Sequence, residues 1–215
     1  MHPWAKWIGS AVLAAAALAP IRDGWACGNE VEIQVDPRTQ SVQRAERALE
    51  RGEWRAALQG AAPVMRGQRK DGLSLRASAI AVLAVARSDG KYGLDGAEVA
   101  DGERRRAELE RAATLSDEIH GLKKDDVAVR TNHAEVLSHL PERREQALRT
   151  LAELESADLV SSAHAYAALA RLRSTPPRSA PGWVAPAWLA MQHAKAKVAH
   201  ARCERMATKK ELCAG

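Results

Sequence analysis

Ala45-Glu46-Arg47-Ala48-Leu49-Glu50-Arg51-Gly52-Glu53-Trp54-Arg55-Ala56-Ala57-Leu58 is the stretch on which the fold turns. Val42, Ala45, Ala48 and Leu49 recur every three or four residues, with charged residues between them, as on one face of a helix. Asp36 and Pro37 open that helix, Asp as N-cap and Pro at the first helical position. Gly52 stops it. Past Glu53 and Trp54 the helical spacing resumes with Ala56, Ala57, Leu58 and Ala61, and Pro63 is expected to end or kink this second helix. Two helices joined by so short a turn must run back to back, and they cross closely only where side chains are small. Ala45 and Ala57 meet that need. Trp54, the largest group beside the turn, is expected to be buried there.

Outward from this hairpin the chain keeps the same grammar. In its 215 residues, hydrophobic residues at 46% and charged residues at 27% are near the globular norm, which excludes wholesale disorder. Aromatics at 4%, with no Phe, argue against a sheet-rich fold. Leu73 to Ala86 reads as the most buried helix, and Arg87 to Gly102 as a loop rich in Gly and Asp. A helix from Glu103 carries Leu109, Ala112 and Ile119. Asp125-Asp126 opens another through Leu140, and Pro141 starts the next, through Leu154. Ser161 to Leu172 is again helical. Four prolines forbid helix between Ser174 and Pro186, and Ala187 to Met206 forms the last helix. The expectation is all-α: about eight helices in four antiparallel pairs.

The quoted hairpin resembles the centre of a tetratricopeptide repeat (TPR), with Ala45, Gly52, Trp54 and Ala57 at the packing and turn positions of that family and Glu53 between Gly and the aromatic. A weaker copy follows at Asn132-His133-Ala134, Leu137, Pro141-Glu142 and Ala147-Leu148, lacking the turn's Gly and aromatic. The resemblance implies a short TPR-like α-solenoid over residues 37–208. It further implies a peptide or protein partner met by first-helix residues: Gln43, Glu46 and Glu50 in the first copy, Asn132, Glu135 and His139 in the second. Asn at the place of Asn132 can hold a bound peptide's backbone in that family.

Residues 1–26 read as a signal peptide. Lys6 precedes an apolar run to Ala19 that is too short to span a bilayer, and Gly24 and Ala26 are the small residues that cleavage before Cys27 requires. Cys27 also raises lipidation, although Gly24 stands where a lipobox has Leu, and Arg22 and Asp23 part the cysteine from the apolar run. The protein is therefore expected in the periplasm or outside the cell, with membrane attachment only through a lipid on Cys27. Residues 27–36 read as an extended arm with Val31, Ile33 and Val35 alternating, and 209–215 as a tail. Net charge is +5, and loss of two cations and one anion with the leader lowers it by one. Basic residues such as Arg104-Arg105-Arg106 lie among glutamates, a pattern of solvated helix rather than of nucleic-acid binding.

Chemistry-bearing motifs are sparse. There is no Cys-x-x-Cys, phosphate loop or nucleophile elbow, and the Asp89–Asp95 loop fails the calcium template at its glycine and its last ligand. No cofactor and no catalytic residue is implied. His193, His200 and Cys203 share one helical stripe, which supports an alternative reading as an envelope enzyme or metal-binding protein. Cys203–Cys213 is the expected disulfide, provided that the chain turns back after Met206, since an unbroken helix would hold the two about 15 Å apart. The function expected is non-catalytic partner binding in the cell envelope.

Overall fold

The computed structural model describes residues 36–67, 71–174, 186–207 and 210–213, with the backbone alone for 186–190 and 210–211. The leader, Cys27, the extended arm up to residue 35 and most of the proline-rich stretch (175–185) lie outside the described residues. The eight helices are α1 (Pro37–Glu50), α2 (Trp54–Met65), α3 (Gly72–Arg87), α4 (Gly102–Leu122), α5 (Val127–Leu137), α6 (Arg144–Ser156), α7 (Ala163–Ser174) and α8 (Pro186–Met206). A 3₁₀ helix, Lys210–Cys213, follows. Among the described residues there is no strand, only an isolated bridge between Tyr92 and Glu98.

Local chemistry sets the starts. Asp36, Asp71, Asp101 and Asp126 each cap a helix by accepting a backbone N–H two or three residues ahead. A carboxylate there satisfies an amide that the first turn leaves unpaired and sits well at the positive end of the helix dipole. Two expected boundaries move. Pro63 does not end α2, which runs two residues further to Met65. Pro141 does not start α6: residues 141–143 form a turn, and Arg143 is the N-cap.

Each helix packs on the next. In addition α1 touches α3, α3 touches α5 and α5 touches α7, whereas the even-numbered helices touch only their neighbours in sequence. The odd helices therefore form an inner layer and α2, α4 and α6 an outer one, a stack of antiparallel pairs, while α8 packs on α7. Ala45 and Ala57 are fully buried at the first crossing. Gly60 brings the two helices closer still: a Cβ added there would sit 3.0 Å from the Cβ of Ala45. Leu58, Leu137, Leu151, Leu154 and Leu169 fill the interior between pairs. Trp54 departs from expectation. It is half-buried, because its ring leaves the α1–α2 crossing, already filled by small residues, and packs over the inner face instead.

The C-terminus is also more structured than a tail. α8 ends at Met206, the chain reverses, and Cys203 joins Cys213 in a disulfide with Cα atoms 6.0 Å apart. Cys213 is buried, and the 3₁₀ helix packs on α7 and α8. The loop it closes is short, so replacing both cysteines by Ala should cost about 2–3 kcal/mol in urea unfolding by the chain-entropy relation. Addition of reductant should lower the wild-type midpoint and leave that of the double variant unchanged.

Candidate functional site

The inner layer, the start of α2, α8 and the 3₁₀ helix together line a half-open cavity of about 760 Å³. Six elements reach it. Trp54 enters from the start of α2, Arg87 from the end of α3, Glu135 from the end of α5, His139 from the turn after it, and His164 and Arg171 from α7. His193, Lys197 and His200 come from α8, and Leu212 and Cys213 from the 3₁₀ helix. Ala167, Ala170 and Ala196 lie between the polar groups and keep the space open. Trp54 gets there because Gly52, at φ +76°, turns the chain sharply before it. Its indole then meets His164 edge to face, with centroids 6.3 Å apart.

Below the cavity wall lies a buried ion pair. Arg87 donates through Nε to Glu135 Oε1 at 2.7 Å and through Nη2 to Oε2 at 3.2 Å. Ser162 Oγ also donates to Oε2, at 3.2 Å. Burial opposes the charge on Glu135, yet the Arg87 guanidinium more than offsets it, so its carboxyl titrates below the usual range. The same surroundings work against a cation on the neighbouring ring. Burial first, and then the charge of Arg87, push His164 down to about 4. His139 Nδ1 lies 3.6 Å from Asp89 Oδ1, and the bond to His139 holds the Asp89 carboxyl below its ordinary value. At neutral pH the wall thus offers a fixed guanidinium–carboxylate pair, a neutral imidazole and an indole face. These groups can hydrogen-bond and pack against a ligand.

α8 is fastened over this cavity from the far side. Arg173 Nη2 donates to Glu155 Oε2 at 2.5 Å and its Nη1 to the Lys195 carbonyl at 3.3 Å, while the Arg202 guanidinium lies over the Tyr166 ring. A second polar cluster ties α4 to α5 and the turn before α6. There Asp117 receives His133 Nε2 at 2.7 Å and Arg143 Nη2 at 3.0 Å, and His133 stacks on His120.

The depressed titration of His164 has a consequence for stability. Its folded-state value lies below that of an unfolded His, so between about 6.5 and 4 the unfolded chain binds more protons. Stability contributed by the neutral ring is complete above pH 6.5 and is lost as pH falls toward 4. Allowing for partial solvent access, the loss should be about 2 kcal/mol. Urea midpoints at pH 7 and pH 4.5 measure it, and a His164→Gln variant should show a smaller difference between the two.

The residues expected to meet a partner fall into separate places. Gln43 and Glu50 are exposed on α1 and do not line the cavity, while Glu46 is engaged with Arg76 of α3, Arg76 Nη2 donating to Oε2 at 2.6 Å. Asn132 is half-buried, and His139 is on the wall. Glu135 borders the cavity but is only 1% exposed, and both its carboxylate oxygens are held by Arg87. Of the His193, His200 and Cys203 set, the two histidines line the cavity. Cys203 is disulfide-bonded and cannot supply a thiolate, and His200 Nε2 is 3.5 Å from Glu204. Among the described residues, no group of three or more His, Cys, Asp or Glu side chains could hold a metal ion. Arg87, His164, Arg171 and Lys197 escaped the sequence reading. A signal did exist for the first: Glu135 sits in the buried run Ala134 to Leu137, and a carboxylate in such a run needs a cation. Comparison of the chain with protein-family models, with curated proteins and with solved structures finds no match.

Proposed function

We propose that this chain is an exported, non-catalytic, TPR-like interaction module that holds a protein or peptide segment of the cell envelope. The observation that supports this reading best is the cavity of about 760 Å³ on the inner helical layer, walled by six elements. A stack of helix pairs offers a long inner surface, and closure of α8 over one end turns part of it into a pocket of ligand size. Alanines leave room for a backbone, and the indole of Trp54 and the imidazoles provide contacts along it. The disulfide between Cys203 and Cys213 favours an oxidising compartment, in keeping with a cleaved leader. Intact mass of the exported chain should give Cys27 as the first residue, and an added diacylglycerol mass would place it on a membrane.

Selection from a randomised peptide library by the purified chain tests the binding reading. Sequences enriched by the wild type should be lost by Trp54→Ala and by Lys197→Glu, both at the cavity, and kept by Glu110→Lys on the outer face of α4. Enrichment that ignores the cavity variants, or no enrichment at all, would remove the reading.

A further inference from the structure

We propose that the groove between α1 and α2 is an anion site for a compact, soluble phosphorylated molecule carrying at least two negative charges. The site is separate from the cavity and does not depend on the peptide reading. Arg44, Arg47 and Arg51 stand at i, i+3 and i+7, hence on one face of α1, and all three line a groove of about 540 Å³. Arg51 is engaged, its Nε and Nη2 donating to Glu53 at 2.8 and 2.9 Å. Arg44 and Arg47 are exposed, and their side chains have no hydrogen bond or ion pair among the described residues. Two unpaired guanidiniums one helical turn apart thus stand over a concavity in which Glu53 is the only carboxylate among the described lining residues.

The floor of the groove explains why an anion can enter it. Ser41 Oγ donates to the Gly60 carbonyl at 2.8 Å and draws the helices together, while Ala48, Ala56 and Gly60 place almost no side-chain volume between them. An oxyanion can descend between the arginines instead of meeting them end-on. Glu46, on the same helix, is withdrawn by its pairing with Arg76. The number of donors selects the ligand. One guanidinium satisfies a carboxylate through both oxygens, whereas a phosphate group has three terminal oxygens and more charge, enough for two guanidiniums. A free solute is favoured over a bilayer by what surrounds the groove. Among the described residues, the large hydrophobic side chains that are exposed are Leu122, Leu159, Met191, Val198 and Met206, none of them on α1 or α2, so these residues offer no apolar group to lipid beside the arginines.

Calorimetric titration of the full chain with inorganic pyrophosphate, at low ionic strength, tests the site. Pyrophosphate should bind with one-to-one stoichiometry, more tightly than citrate and less tightly as salt is added. Arg44→Gln/Arg47→Gln should weaken it by about tenfold or more, since two charge-assisted contacts are lost. The melting curve should be unchanged, because both side chains are exposed. Arg104→Gln/Arg106→Gln on α4, which alters net charge equally, should keep the wild-type affinity. Equal loss in both double variants would reduce the effect to net charge and overturn the site, as would binding that survives the α1 changes. Citrate matching pyrophosphate would overturn the phosphate assignment. Co-sedimentation with phosphatidylglycerol vesicles in the absence of pyrophosphate binding would replace the soluble ligand by a membrane, and no binding to any probe would end the proposal.

Discussion

Arg87→Ala should lower stability by about 3–5 kcal/mol, because it leaves the Glu135 carboxylate buried without its cation. The pair is deeply enclosed, with side chains 10% and 2% exposed, and Ser162 alone cannot replace two guanidinium hydrogen bonds. Glu135→Ala should be similarly harmful, since a guanidinium would then face the cavity base unpaired. Removing both charges together, as Arg87→Met/Glu135→Leu, should recover much of the loss, for hydrophobic groups of similar volume carry no desolvation penalty. Urea unfolding of the wild type, Arg87→Met, Glu135→Leu and the Arg87→Met/Glu135→Leu variant completes a double-mutant cycle. A coupling below about 1 kcal/mol would mean that water reaches the pair and screens it. The pair also spans from α3 to α5, so the single variants should loosen the wall that carries His139 and His164 and weaken any cavity ligand as well.

Gly90→Ala should cost about 3 kcal/mol, through the backbone rather than through lost contacts. Gly90 has φ +69°, a region that L side chains seldom adopt, and its N–H bonds the Val85 carbonyl at 2.9 Å to finish α3. A Cβ there would lie 2.4 Å from the carbonyl oxygen of Arg105 in α4. No rotamer relieves a collision with backbone, so α4 must shift away from α3. Gly102→Ala is the matched comparison: a Cβ at that position meets nothing within 4 Å, and the change should be neutral or mildly stabilising. Thermal melts of the two variants should therefore move apart. Equal melts would show that the α3–α4 connection adapts freely.

The sequence by itself determined the helices, because what makes them is local. Periodic Ala and Leu, the acidic starts at Asp36 and Asp125-Asp126 and the glycine at position 52 act within a few residues, and the boundaries they imply hold to within a few residues. It also allowed the C-terminal cysteine pair to be posed as a geometric condition on the chain after Met206, which the end of α8 and the 3₁₀ helix meet. Pro141 marks the limit of local reading: a proline suited to a first helical turn instead sits in a turn before α6.

Only the tertiary structure decided which polar residues share a site. Arg87 and Glu135 are separated by 48 residues, and Trp54 and His164 by still more of the chain, yet each pair meets across the inner layer. No spacing rule covers such pairs, because the distance between them is set by how helix pairs stack and not by the rise of any one helix. Trp54 shows the same cause from the other side. Its neighbours at the turn are small and already in close contact, so the indole packs into the cavity wall formed by helices remote in sequence. The arginines of α1 were visible as letters throughout. That two of them have no partner, over a floor left low by Gly60, follows from the closeness of α1 and α2 in space.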